Sequence, residues 1–398
     1  MTKTTRHVIA LTLGCLLILA IWLQQQRASL PDGRILRPAE FTDLPGWLED
    51  EQKFVLVALS RSCRRISRMA NARSLGAGGI AGTAGDWRDM CREVDAVPHT
   101  DQAVRDFIEA WLRPWRVLNR NGSTSRGLFT GYYEPSLTGS RTRGGKNQTP
   151  LYARPDDLIT VELRPFREDL AGRRIAGRLQ SGKLVPYPAR ADIVKGSLAT
   201  MADPLVWVDD PVDAFFLQIQ GSGRVTLDEG GELRVGYAAT NGQPYTAIGR
   251  DLVKRGALTR ENVSLQTIRA WLDANPDLAS DVMALNKSYV FFRELTGEGP
   301  IGAQGVALTP ARSLAVDRKY IPLGVPIWLD ATAPSPEAGA PDLPLQRLMV
   351  AQDTGGAIQG PIRGDVFWGY GPNAEHVAGH MKHAGRYFLL LPKSVAVK

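Results

Sequence analysis

Cysteine is scarce in this chain, with 3 residues among 398, one of them inside an N-terminal apolar run. The other two, Cys63 and Cys91, cannot make a zinc site alone, because structural zinc takes four ligands. Histidine numbers only 5. Three of these, His376, His380 and His383, form a metal-like run, but the glutamate of the helical zinc motif does not follow His376, and Gly379 weakens a helix there. No metal or other cofactor is therefore expected. Asp-Thr-Gly occurs once, at Asp353-Thr354-Gly355, whereas an aspartic protease needs two such aspartates. Too little chain follows it to complete a protease lobe. No internal repeat is visible.

What is present suits a two-domain enzyme. With 43% hydrophobic and 22% charged residues the chain can bury a sizeable core. Its 40 glycines and 26 prolines favour a loop-rich, mainly β architecture over a helical bundle. The net charge of +7 suits an anionic partner: a membrane surface, a cell-wall polymer or nucleic acid.

The N-terminus narrows that choice. Lys3 and Arg6 precede an unbroken apolar or small run over 8–23, which reads as an export signal or an uncleaved membrane anchor within 1–30. Thr12-Leu13-Gly14-Cys15 loosely resembles a lipobox, but cleavage there would leave a long apolar stretch on the mature chain. Export argues against nucleic acid. In an oxidising compartment Cys63 and Cys91 are left either to bridge or to sit as buried thiols.

Helical patterns are expected over 51–72 and 101–118, with Thr100 as an N-cap, and again over 245–255 and 264–275, where Pro276 stops the second. From Gly127 the pattern changes to short β segments, including 150–152 and 184–188. Later strands are expected at 306–308, 326–329, 348–352 and 387–391. Strands on both sides of helices suggest a Greek-key-like or pseudo-barrel core.

The most informative stretch runs from Val350 to Gly371. An apolar strand delivers Asp353 into a glycine-rich turn, and Asp365 emerges against Val366, Phe367 and Trp368. Apolar neighbours disfavour the ionised carboxylate, so Asp365 has the setting of a general acid, although Gly364-Asp365 also fits an ordinary hairpin turn. Arg363 would lower the Asp365 pKa if the side chains met.

Several blocks taken together, Gly131-Tyr132-Tyr133-Glu134-Pro135, 215–223, 237–242, 289–293 and the two-aspartate segment, resemble the membrane-bound lytic murein transglycosylase A family over roughly 41–392. The resemblance implies a mainly β fold with flanking helices: a double-psi β-barrel core formed by 41–133 plus 236–393, and a second inserted β-barrel domain at 134–235 forming the other wall of a substrate groove. It implies a glycan-cleaving lyase, a peptidoglycan lytic exotransglycosylase that breaks the β-1,4 bond between N-acetylmuramic acid and N-acetylglucosamine and leaves 1,6-anhydromuramic ends. Asp365 would act as acid and then base, with Asp353 supporting it. Tyr132, Tyr133, Gln220, Ser222, Gly223 and Trp368 would meet the sugar rings, whereas Phe291 and Phe292 suit the core. Peptidoglycan strands are the expected partner, and the periplasm of a Gram-negative-type envelope the expected place, with the enzyme held at a membrane by its anchor. A muramidase or a non-catalytic wall-binding protein are the alternatives.

Overall fold

The structure, a computed structural model, describes residues 35–170, 173–297, 299–337 and 339–395. The expected anchor and Cys15 lie outside them. Among the described residues no helix is long and apolar enough to cross a membrane.

The strands are, in order, β1 Leu36–Pro38, β2 Leu112–Val117, β3 Gly127–Glu134, β4 Ser136–Ser140, β5 Thr149–Tyr152, β6 Ile159–Glu162, β7 Arg174–Gln180 and β8 Lys183–Pro186. Then come β9 Pro204–Val208, β10 Ser222–Leu227, β11 Glu232–Thr240, β12 Val290–Glu294, β13 Ser313–Val316, β14 Pro326–Ala333, β15 Leu343–Asp353, β16 Arg363–Tyr370 and β17 Lys382–Pro392.

Six of them close a barrel in the order β3-β17-β14-β15-β13-β16 and back to β3. The pairs β13–β15 and β16–β3 are parallel, and the other four are antiparallel. The strand β17 is long enough to serve two partners along one edge, β3 through 382–385 and β2 through 388–392. Strands buried on both faces carry continuous apolar runs rather than alternation, as in β13 and the second half of β17. Outside the barrel the helix Leu56–Ser67 packs Leu59, Cys63 and Ile66 into the same core as Trp328 and Val350. Cys63 and Cys91 form a disulfide, which ties this helix to the helix Ala84–Glu93.

A second sheet runs β12-β11-β10-β4-β9-β5, and a bridge between Ala153 and Phe292 brings its two ends together as a second barrel. Its core holds Leu137, Leu151, Val206, Val225, Val235 and Phe292. This is the mainly β, two-barrel architecture with flanking helices that the resemblance implied. The expected inner limit of the insertion, 235, falls within β11, which pairs with β10 on one side and β12 on the other. The strands of β6, β7 and β8 form a separate small sheet.

Local elements depart from expectation where tertiary pairing overrides propensity. The helix begun at the Thr100 cap, whose hydroxyl accepts from the Ala103 amide, ends at Trp111 rather than 118. Residues Leu112–Val117 leave it as β2 because Pro114 cannot donate within a helix and because β17 offers an open edge. Residues 211–220, within a stretch expected to be β, form the helix Pro211–Gln220, started by the Asp210 side chain accepting from the Val212 amide. Pro276 does end one helix, but it also opens the next, Pro276–Ala284, since proline is tolerated in a first turn. The segment 306–308 makes only an isolated bridge, Ala307 with Ile301.

Candidate active site

Asp353 ends β15 and Asp365 lies early in β16, and both pair in register with Ala315 of β13 between them. Two inter-strand steps put their Cα atoms about 10 Å apart. Both side chains face a cleft of about 910 Å³ between the two barrels, whose walls include Tyr132, Gln220, Ser222, Tyr237, Arg293 and Arg318.

Asp365 is held by a residue distant in sequence. Thr130 sits opposite it on the parallel strand β3 and donates its hydroxyl to Asp365 Oδ1 at 2.7 Å. Val366 and Phe367 beside it are buried. Burial pushes the Asp365 carboxyl up to about 6, with the nearby Asp353 adding to the rise, while the Arg363 charge and the Thr130 hydrogen bond oppose it. Among the described residues no ion pair joins Arg363 to Asp365. The guanidinium instead donates to Thr130 Oγ1 at 2.8 Å and to the Gly364 carbonyl. Burial lowers the Arg363 pKa, with the Asp365 charge pulling the other way.

Asp353 is fixed more tightly. Its Oδ1 accepts from the Ala303 amide at 2.8 Å, and its Oδ2 accepts from the Tyr132 hydroxyl at 2.8 Å. Burial still raises its pKa against these donors. The same burial, with the Asp353 charge, holds the Tyr132 phenol well above its ordinary value, so it remains a donor. The preceding residue, Gln352, is wholly buried. It donates to the Ala58 carbonyl and the Ser62 hydroxyl, each at 2.8 Å, and accepts from Ser313 at 2.6 Å, which pins β15 to the helix Leu56–Ser67.

Of the residues expected to meet substrate, Tyr132, Gln220 and Ser222 stand on the cleft wall. Tyr133 points the other way along β3 and is 3% exposed, with its hydroxyl donating to Glu375 at 3.0 Å. Trp368 packs with Tyr133, Ala374 and Ala378 behind the wall. Gly223 is buried as well, and a Cβ there would meet the Pro135 carbonyl at 2.8 Å. Phe291 and Phe292 are core residues. A glycine is required at 131 because a Cβ would lie 2.7 Å from the Trp368 indole nitrogen and 2.8 Å from the Ala378 Cα. Thr130, Ala303 and Arg318 carry no motif, and sequence reasoning missed them. Only the adjacency of Thr130 to the Gly131-Tyr132 block could have pointed to it.

The histidine run does not converge on a cation. The rings of His376 and His380 lie 4.6 Å apart and tilted by 45°, while His383 bonds Asp342 at 2.9 Å. Among the described residues no group of three or more His, Cys, Asp or Glu side chains has metal-binding geometry.

Two facing barrels with a protonatable carboxyl in the trough between them define a two-barrel protein with an open cleft and a candidate acid on its wall. The comparisons name the family. Residues 128–293 match the family described as the MltA specific insert domain, and residues 312–391 match the 3D domain. The membrane-bound lytic murein transglycosylase A of Escherichia coli K12 is 33% identical over 292 residues, covering 72% of this chain and 70% of that protein. The crystal structure of a membrane-bound lytic murein transglycosylase from Agrobacterium tumefaciens superposes with a TM-score of 0.78 at 33% identity, covering 90% of this chain and 98% of that one. A crystal structure of the E. coli MltA with bound chitohexaose is similar at 28% identity and a TM-score of 0.58, covering 77% and 83%. The chain belongs to the membrane-bound lytic murein transglycosylase A family.

Proposed function

We propose that this protein is a lytic transglycosylase of peptidoglycan, which breaks the β-1,4 bond between N-acetylmuramic acid and N-acetylglucosamine and leaves a 1,6-anhydro ring. The observation that carries this reading is Asp365: a cleft carboxyl with its pKa raised to about 6, bonded by Thr130 and free of any ion pair among the described residues. Such a group is protonated often enough near neutral pH to serve as an acid.

In the proposed reaction Asp365 gives its proton to the glycosidic oxygen as the C1–O4 bond breaks. As carboxylate it then takes the proton from the muramic C6 hydroxyl, whose oxygen closes onto C1. No water is consumed, and the proton count of Asp365 is restored. The nucleophile belongs to the substrate and is already positioned, so a second catalytic carboxylate is not required. Asp353 suits a supporting role, because both its oxygens are engaged by Ala303 and Tyr132. Its charge helps to keep the Asp365 proton in place. Tyr132 supplies a partly apolar wall for a sugar ring, while Gln220 and Ser222 supply polar edges.

The chitohexaose held by the E. coli relative supports an oligosaccharide in the cleft. The name shared by the relatives supports an envelope enzyme held at a membrane, and the Cys63–Cys91 disulfide suits the oxidising periplasm. We also assign the catalytic domain to the barrel carrying both aspartates, and the other wall of the groove to the inserted barrel.

The deciding experiment is mass spectrometry of sugars released from purified sacculi. Anhydromuramic ends are expected. Reducing muramic ends would mean hydrolysis by a water-activating base, and sedimentation with sacculi without release would mean a wall-binding protein.

A further inference from the structure

A second cavity, of about 620 Å³, lies alongside the cleft, and the two share Ile219 and Tyr245 in their walls. Its floor is apolar, made by Phe216, Ile248, Val263 and Ile268. Its rim carries four cations, Arg250, Lys254, Arg260 and Lys382, all exposed. Among the described residues none of the four has a carboxylate within ion-pair distance, and the charge of Lys382 is felt by one acidic neighbour, Glu261. Ile219 and Tyr245, at the junction with the cleft, are themselves exposed, at 37% and 46%. The glycan-cleaving machinery uses none of the four cations.

We propose that this cavity holds the acidic peptide arm of the same polymer whose glycan lies in the cleft, an inference that rests on the peptidoglycan reading above. Free carboxylates on a short peptide complement the four rim cations, and small alkyl side chains such as alanine methyls complement the floor. Continuity through Ile219 and Tyr245 lets a substituent on one sugar reach the cavity while that sugar stays in the cleft. A membrane surface is a poorer match, because the apolar atoms lie at the bottom of a concavity and not on a protruding face. The site would act on substrate affinity rather than on bond breaking, since its cations belong to elements other than β15 and β16.

The test uses the full-length protein in detergent micelles and an Arg250→Glu/Lys254→Glu double variant, with Arg250→Gln/Lys254→Gln as a milder pair. Thermal melts check that both remain folded. Calorimetric titration with a synthetic alanyl-γ-glutamyl-diaminopimelyl-alanine peptide should show binding to the parent protein at least tenfold tighter than to the Glu variant. The Gln variant should fall between them, and the carboxamide form of the peptide should bind weakly to all three. On sacculi the Glu variant should raise KM about tenfold with kcat unchanged, while on glycan stripped of peptide by an amidase both proteins should match. Equal peptide affinity in parent and Glu variant, or no binding to the parent, would overturn the site. If the parent cleaves neither substrate, the catalytic reading fails, and the titration still decides the cavity.

Discussion

Thr130 and Asp365 face each other across the parallel pair β3–β16, joined by a 2.7 Å hydrogen bond that the threonine hydroxyl donates, while Arg363 donates to that same hydroxyl at 2.8 Å. The arginine thus acts on the carboxyl at one remove. Its charge tempers the rise that burial causes without forcing the carboxyl to ionise.

Asp365→Asn should abolish the proposed proton transfer while leaving the cleft's shape intact. The expected loss in kcat is roughly 10³-fold, within the usual range for a general acid or base. Co-sedimentation with sacculi should be unchanged. Anhydro-sugar release persisting near the parent rate would remove Asp365 from the mechanism.

The acid must be protonated to act, so kcat/KM should fall about tenfold per pH unit above the carboxyl's pKa of about 6. Arg363→Gln removes a charge that lowers this pKa, and the alkaline limb should move to higher pH. A limb that stays put or moves lower would contradict the electrostatic role given to Arg363.

Stability should show the same group with a definite sign. Because the folded pKa is raised from 3.8, the native state holds more protons than the unfolded chain between that value and about 6, so stability falls as pH rises through this window. Asparagine cannot ionise. Asp365→Asn should therefore melt higher than the parent at pH 7–8, with the gap closing below the ordinary aspartate value, as scanning calorimetry across pH would reveal.

Tyr132→Phe deletes one of the donors to Asp353 and leaves the Ala303 amide in place. A drop of about tenfold in kcat is expected, with a stability loss of about 1 kcal/mol. Steady-state kinetics beside urea melts would separate these, and a large fall in stability with unchanged kcat would make Tyr132 merely structural.

Replacing both Cys63 and Cys91 by alanine opens a link spanning 28 residues, and the loop-entropy account gives a loss of about 3–4 kcal/mol. Urea denaturation of the variant, and of the parent with reductant, should agree on that loss.

The raised carboxyl of Asp365 was legible in the order of residues. Asp365 precedes Val366 and Phe367, and a carboxyl among apolar side chains is disfavoured as an anion wherever such a segment folds. The Gly131-Tyr132 and Gln220-Gly221-Ser222 blocks stood out through the family resemblance, while the later strands β14, β15 and β17 were legible because short-range composition carries them.

The facing of side chains was not legible. Tyr132 and Tyr133 are chemically alike neighbours, and alternation along β3 sends one to the cleft and the other to Glu375. Which of the two faces the groove depends on the register that β16 and β17 impose from more than two hundred residues away. Trp368 was drawn behind the wall by packing with Ala374 and Ala378, and Pro114 entered a strand because β17 left an edge unpaired. Local sequence alone determined which groups can exchange a proton or offer an aromatic face. Closure of the barrel, a matter of long-range pairing and shared burial, decided which of them meet in the cleft, and gave Asp365 the partner, Thr130, that no motif announced.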